Sequence, residues 1–153
     1  MRMNGKYLVI GLAGSAAIAG VAMWYLQVHA FYTRLPDTTV LRVTTEAGPQ
    51  PLSLSAFQGI DASSSPLRFR ACVTLANPQE FASAIPATKP DPLTAPGWFD
   101  CFDAAAIGGA LQRGEAVAYL AEREIHRGVD RIIAVYPDGR AFAWQQLNGT
   151  LEN

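Results

Sequence analysis

Histidine, cysteine and lysine each occur only twice in this chain of 153 residues. That scarcity excludes much chemistry. A zinc site takes three or four ligands, and His29, His126 and two cysteines match no zinc-binding spacing. There is no CxxC pair to lower a thiol pKa and no CxxCH haem attachment. No Gly-rich phosphate loop and no GxSxG nucleophile elbow occurs. Positive charge of the kind that displaces counterions from a nucleic acid is also lacking, since 12 basic residues stand against 13 acidic ones. One stretch lacks charge altogether, between Lys6 and Arg34.

Within that stretch, Tyr7 to Leu26 is an uninterrupted apolar run of twenty residues. This length crosses about 30 Å of hydrocarbon as a helix. The expected organisation is an N-terminal segment 1–6, a transmembrane helix over 7–29, a connector over 30–37 and one domain over 38–150. Tyr7 at one end and Trp24, Tyr25, Phe31 and Tyr32 at the other suit the headgroup level, where amphipathic rings settle. Arg2, Lys6 and the terminal amine precede the run. This excess places the N-terminus in the cytoplasm and the domain outside. A cleaved signal peptide is the competing reading, with Val28-His29-Ala30 as its small-residue site. The run, however, exceeds the usual apolar region of about 7–15 residues and ends in bulky side chains.

Gly11, Ser15 and Ala19 recur at four-residue steps, with Ala16 and Gly20 beside them. Such rows let two helix backbones approach closely. The expected partner is a helix of a membrane complex or a second copy of this chain. Glycine and alanine are also common in membrane spans, so the rows alone decide nothing.

Cys72 and Cys101 both fall in the outer domain. A lone pair in an oxidising compartment usually bonds, closing a loop of about 30 residues worth roughly 3–4 kcal/mol on chain entropy. Free buried thiols and a redox pair are the alternatives.

Along the domain, Thr38 to Thr45 alternates and reads as a strand. Leu52 to Ile60 reads as a short strand or a helical turn, and Asp61 to Pro66 as a polar loop. Leu67 to Leu75 is expected as a strand with Leu67, Phe69, Ala71 and Val73 on one face and Arg68, Arg70 and Cys72 on the other. The Pro-rich loop 77–97 is expected as coil with a helical turn near 79–84. Asp100 is expected to cap a helix from Cys101 to Arg113, burying Phe102, Ala106, Ile107, Ala110 and Leu111, with Gly114 as its stop. Glu115 to Ala121 reads as a strand and Glu122 to Gly128 as a charged connection. Arg131 to Tyr136, Pro137-Asp138-Gly139 and Arg140 to Leu147 form a β-hairpin. The fold class is α+β, with an antiparallel sheet and one main helix.

Several residues invite a functional reading. His126 among Glu122, Glu124 and Asp130 suggests a general base or pH-sensitive contact; an ordinary charged strand connection is the plainer account. Ser63-Ser64-Ser65 ahead of Pro66 reads as a turn. Gly108-Gly109 suggests close helix packing. Asn148-Gly149-Thr150 matches a glycosylation sequon. His29, at the expected outer interface, could contact a cofactor or partner. Trp98 and Phe99 follow a Pro-Gly turn and serve either as core anchors or as an exposed docking spot. The loop 77–97 is a candidate binding surface.

The blocks MNGKYLVIGLAGSAAIAG, YLQVHAFY, IDASSSPLRFRAC, APGWFDCFDAAAIG and IHRGVDRIIAVYPDGRAFAWQQLN together resemble an uncharacterised single-span family of Rhodobacter-type alphaproteobacteria, a domain of unknown function. The resemblance departs in the Pro-rich loop, and relatives are expected to continue further after the hairpin. It implies a Gram-negative inner membrane and a periplasmic domain. It carries over no activity and no catalytic residue.

These readings converge on a non-catalytic accessory, assembly or stabilising subunit of a larger inner-membrane complex, needing no cofactor. The type of organism points to a respiratory or photosynthetic complex, though no residue requires one. The expected partners are the bilayer and an integral membrane complex or a second copy, with no nucleic acid. A periplasmic sensor or ligand-binding domain is the alternative.

Overall fold

The computed structural model describes residues 4–152. Arg2, part of the charge bias above, and the start of segment 1–6 lie outside the described residues. The chain divides into two units after Tyr32.

The first unit is one helix, α1 (Gly5–Tyr25), continued by a π-helical turn over Leu26–Ala30. Residues 5–27 are all exposed. Its large apolar side chains, among them Leu8, Ile10, Leu12, Ile18, Val21 and Met23, point in every direction around the axis. A helix that is apolar all round is built for an apolar surrounding rather than for one face of a core. The 26 residues Gly5–Ala30 are long and apolar enough to cross a membrane, a property that signal sequences share. The serine inside the run is satisfied locally, since Ser15 Oγ donates to the Leu12 carbonyl at 3.0 Å.

The second unit is an α+β domain. Its strands are β1 (Thr33–Leu35), β2 (Arg42–Thr45), β3 (Gly48–Pro51), β4 (Leu54–Asp61), β5 (Arg70–Leu75), β6 (Val117–His126), β7 (Val129–Val135) and β8 (Arg140–Leu147). Six of them make one antiparallel sheet in the order β1-β4-β5-β8-β7-β6, and β2 and β3 form a separate hairpin. Register fixes the two faces, because side chains alternate along each strand. Ala71, Ala143 and Ile133 align on one face. There they pack with Leu41, Val43 and Leu52 from around the β2–β3 hairpin and with Phe81. The opposite face carries Arg70, Trp144 and Ile132 in one row. Phe102 sits edge-on to Trp144 on that side at 6.4 Å between ring centroids.

The helix α2 (Ala104–Arg113) is shorter than the sequence suggests. Asp103, not Asp100, is its N-cap, with its carboxylate accepting from the Ala106 N–H at 3.0 Å. Cys101 and Phe102 therefore precede the helix, and Ala106 is exposed while Ile107 and Ala110 are buried. Gly114 ends it in the left-handed conformation, φ +73, as a Gly after the last turn does.

Other expectations shift too. The strand expected over 38–45 is limited to β2, and that over 67–75 to β5. β1 was not foreseen. Glu122 to His126 is not a connection but the second half of β6, carried past two irregularities in its pairing with β7. The hairpin β7–β8 is present as expected, with Gly139 at φ +91 in its turn. The Pro-rich loop holds one 3-10 turn, Pro78–Phe81, capped by the Asn77 side chain.

Candidate functional site

Beyond Phe81 the chain runs along the outer edge of β6. The Ile85 carbonyl accepts from Leu120 N at 2.8 Å, and Ala87 N donates to the Ala118 carbonyl at 2.9 Å. Residues 85–89, the far half of β6 and the segment after β8 together border a groove of about 720 Å³. This lies within the range of small-molecule sites. Its floor is apolar, from Leu120 and Ile132, and its rim is polar, with Lys89, Arg123, Glu124, Asp130, Asn148 and Thr150.

The rim is internally organised. Glu124 carries a positive φ of 48, uncommon for a residue with a Cβ. Its carboxylate accepts from the Asn148 amide, from Gly128 N at 3.0 Å and from Thr150 Oγ1 at 3.2 Å. The Asn148 bond, with Gly128 and Thr150 behind it, holds the Glu124 carboxyl below the usual carboxylate range. Asp130 accepts from Glu124 N at 2.8 Å and from Asn148 Nδ2 at 2.9 Å. Lys89 is the only other non-glycine residue with positive φ among the described residues, and it borders the same groove. Unusual backbone gathers at functional sites often enough to mark this groove as the candidate.

A second polar feature lies on the core face. Arg131 stands opposite Gln145 and lays its guanidinium 3.8 Å from the centre of the Phe69 ring. Its carboxylate neighbour Glu122 is at 3.8 Å, the same distance that separates Glu122 from Arg42. Burial pulls the Arg131 pKa down, against the attraction of Glu122 and Asp61.

The residues singled out from sequence are scattered. Cys72 and Cys101 form a disulfide with Cα atoms 6.3 Å apart, tying β5 to the segment before α2. Arg70, expected on the face opposite Phe69 and Ala71, is only 4% exposed. Phe99 is buried at 3% exposure, the burial expected of the core-anchor alternative. Trp98 is half-buried, with the Arg34 guanidinium 5.2 Å from its ring centre. His29 lies in the π-helical turn, stacked on Tyr25 at 5.6 Å and edge-on to Trp24 at 5.2 Å. His126 is exposed at the end of β6. Ser65 makes a turn, its Oγ accepting from Leu67 N. A Cβ added at Gly108 would meet nothing within 4 Å, so this glycine does not serve close packing. Gly11, Ser15, Ala16, Ala19 and Gly20 are exposed along α1.

Sequence reading missed Lys89, Glu124, Asp130, Asn148 and Gln146 as one constellation. The nearest signals were the Asn148-Gly149-Thr150 sequon and the charged run around His126. Among the described residues, no group of three or more His, Cys, Asp or Glu side chains is placed to hold a metal ion.

No curated protein and no solved structure matches the chain. A family model described as a family of unknown function, DUF6446, matches residues 39–153. That stretch contains the groove, the disulfide and every strand except β1, so the chain belongs to this family of unknown function.

Proposed function

We propose that this is a non-catalytic, single-span inner-membrane protein whose periplasmic domain serves as an accessory, assembly or stabilising subunit of a larger membrane complex. The observation that carries the reading is α1 itself, apolar on all sides and exposed throughout its length. Glycine costs about 1 kcal/mol per residue in a helix relative to alanine. Yet a Cβ at Gly11, Gly14 or Gly20 would meet nothing of this chain within 4 Å. Close approach of another helix gives those glycines a use. The disulfide suits an oxidising compartment, and Lys6 ahead of the span suits a cytoplasmic N-terminus. A Gram-negative host follows the resemblance described above.

Affinity purification of the full chain from native membranes in mild detergent tests the reading. A stoichiometric integral-membrane partner, lost on Gly11→Ile or Ala19→Ile substitution, is the expected result. A chain recovered alone or only as a homodimer overturns the subunit assignment. A C-terminal alkaline phosphatase fusion should be active; a stable, inactive fusion reverses the topology.

The groove of about 720 Å³ favours a second reading, a periplasmic ligand-binding or sensor domain. Absence of a partner together with ligand-induced thermal stabilisation of the full chain selects it.

A further inference from the structure

We propose that residues 88–96 form a strap that opens locally from the sheet, with Gln146 as its latch. Four features of this segment point that way. Residues 88–95 make no backbone–backbone hydrogen bond among the described residues. None of residues 82–98 is fully buried. Pro90, Pro92 and Pro96 have no N–H to offer a neighbouring strand. Two side chains from the sheet supply the recorded hydrogen bonds to residues 88–95 instead.

Gln146 is the first of these. Its Oε1 accepts from Asp91 N at 2.8 Å and from Trp144 Nε1 at 2.9 Å, while its Nε2 donates to the Lys89 carbonyl at 3.1 Å. Arg70 is the second, donating from Nε to the Leu93 carbonyl at 2.8 Å and from Nη2 to the Thr94 carbonyl at 3.0 Å. A segment with few buried apolar contacts and few backbone bonds opens at a lower free energy than the ladder beneath it. Lys89 adds a strained φ at the latch itself. The disulfide at Cys101 and the Ala87–Ala118 bond hold the two ends, so the opening is hinged rather than a general unravelling. Lys89 and Gln146 also border the groove. Lifting the strap therefore extends the groove along β8 and gates its size.

Amide hydrogen exchange of the full chain in detergent, resolved by residue, tests this. The Asp91 N–H should exchange at least about tenfold faster than those of Ile133 and Ala143 in the β7–β8 ladder. Gln146→Leu should accelerate Asp91 by a further factor of about ten and leave the ladder amides unchanged. Exchange of Asp91 at the ladder's rate in the native chain overturns the proposal, and so does a Gln146→Leu variant in which Asp91 is unaffected. Should that variant fail to fold, the urea dependence of exchange in the native chain decides. A weak dependence at Asp91 supports local opening, and a dependence equal to the ladder's overturns it.

Discussion

Arg131 and Gln145 face each other across β7 and β8, and neither completes its hydrogen bonds among the described residues. Arg131 Nε and both amide atoms of Gln145 are buried with no hydrogen-bond partner among the described residues, and Gln145 is 1% exposed. A buried amide left unmade costs about 1–3 kcal/mol. Gln145→Met keeps the length and removes the polar atoms, so it should raise stability by about 1 kcal/mol. Thermal unfolding of the full chain in detergent reads this; a destabilised variant shows that the amide is satisfied by solvent.

Asp103 and Asp100 are separable by mutation. Asp103→Ala should lower stability by about 1 kcal/mol through loss of the cap to Ala106. Asp100→Ala, exposed and ahead of the helix, should change it by less than about 0.5 kcal/mol. Equal effects in chemical denaturation would return the cap to its sequence-expected position.

The disulfide closes a loop with a sequence separation of 29. The double substitution Cys72→Ala/Cys101→Ala should lower stability by about 3 kcal/mol. Non-reducing peptide mapping of protein taken from the cell should recover the linked Cys72–Cys101 pair. Free thiols there would contradict an oxidising compartment.

Acid stability should depend on Asn148. The Glu124 carboxyl has a folded pKa below its ordinary value of 4.5, chiefly through the Asn148 hydrogen bond. A depressed carboxylate contributes stability above its unfolded pKa and loses it as pH falls through the folded one. The native chain should therefore lose stability as pH drops below about 4.5. Asn148→Ala should show a shallower loss over that window, having less to lose. A pH–stability curve measured for both proteins checks this, and parallel curves would remove Glu124 from the account.

Local pattern made some elements legible and long-range polar bonding hid others. The hairpin β7–β8 was readable because two short continuous apolar runs, Ile132 to Val135 and Ala141 to Trp144, flank Pro137-Asp138-Gly139. Gly114 marked the end of α2 by the same kind of local rule. The extent of β6 was not readable, since Glu122 to His126 is charged and its strand character comes from pairing with β7. Alternation gave the face on which Arg70 lies but not its burial, because the cover comes from a segment 23 and 24 residues later. The groove was hidden for the same reason, as its rim joins Lys89 to Gln146 across 57 residues.

The strand order has a consequence for synthesis. Strands β1, β4 and β5 come from the first half of the domain and β6, β7 and β8 from the second, and the two triplets meet only where β5 pairs with β8. The ribosome delivers β8 last. Until β8 has emerged, the nascent chain holds a three-stranded fragment, β1-β4-β5, and a two-stranded one, β6-β7, each with an unsealed edge. Such edges invite pairing with other chains. A stop codon anywhere in β8 thus removes the seam of the sheet rather than trimming its margin, and the product should be cleared by proteolysis rather than accumulate as a shortened domain.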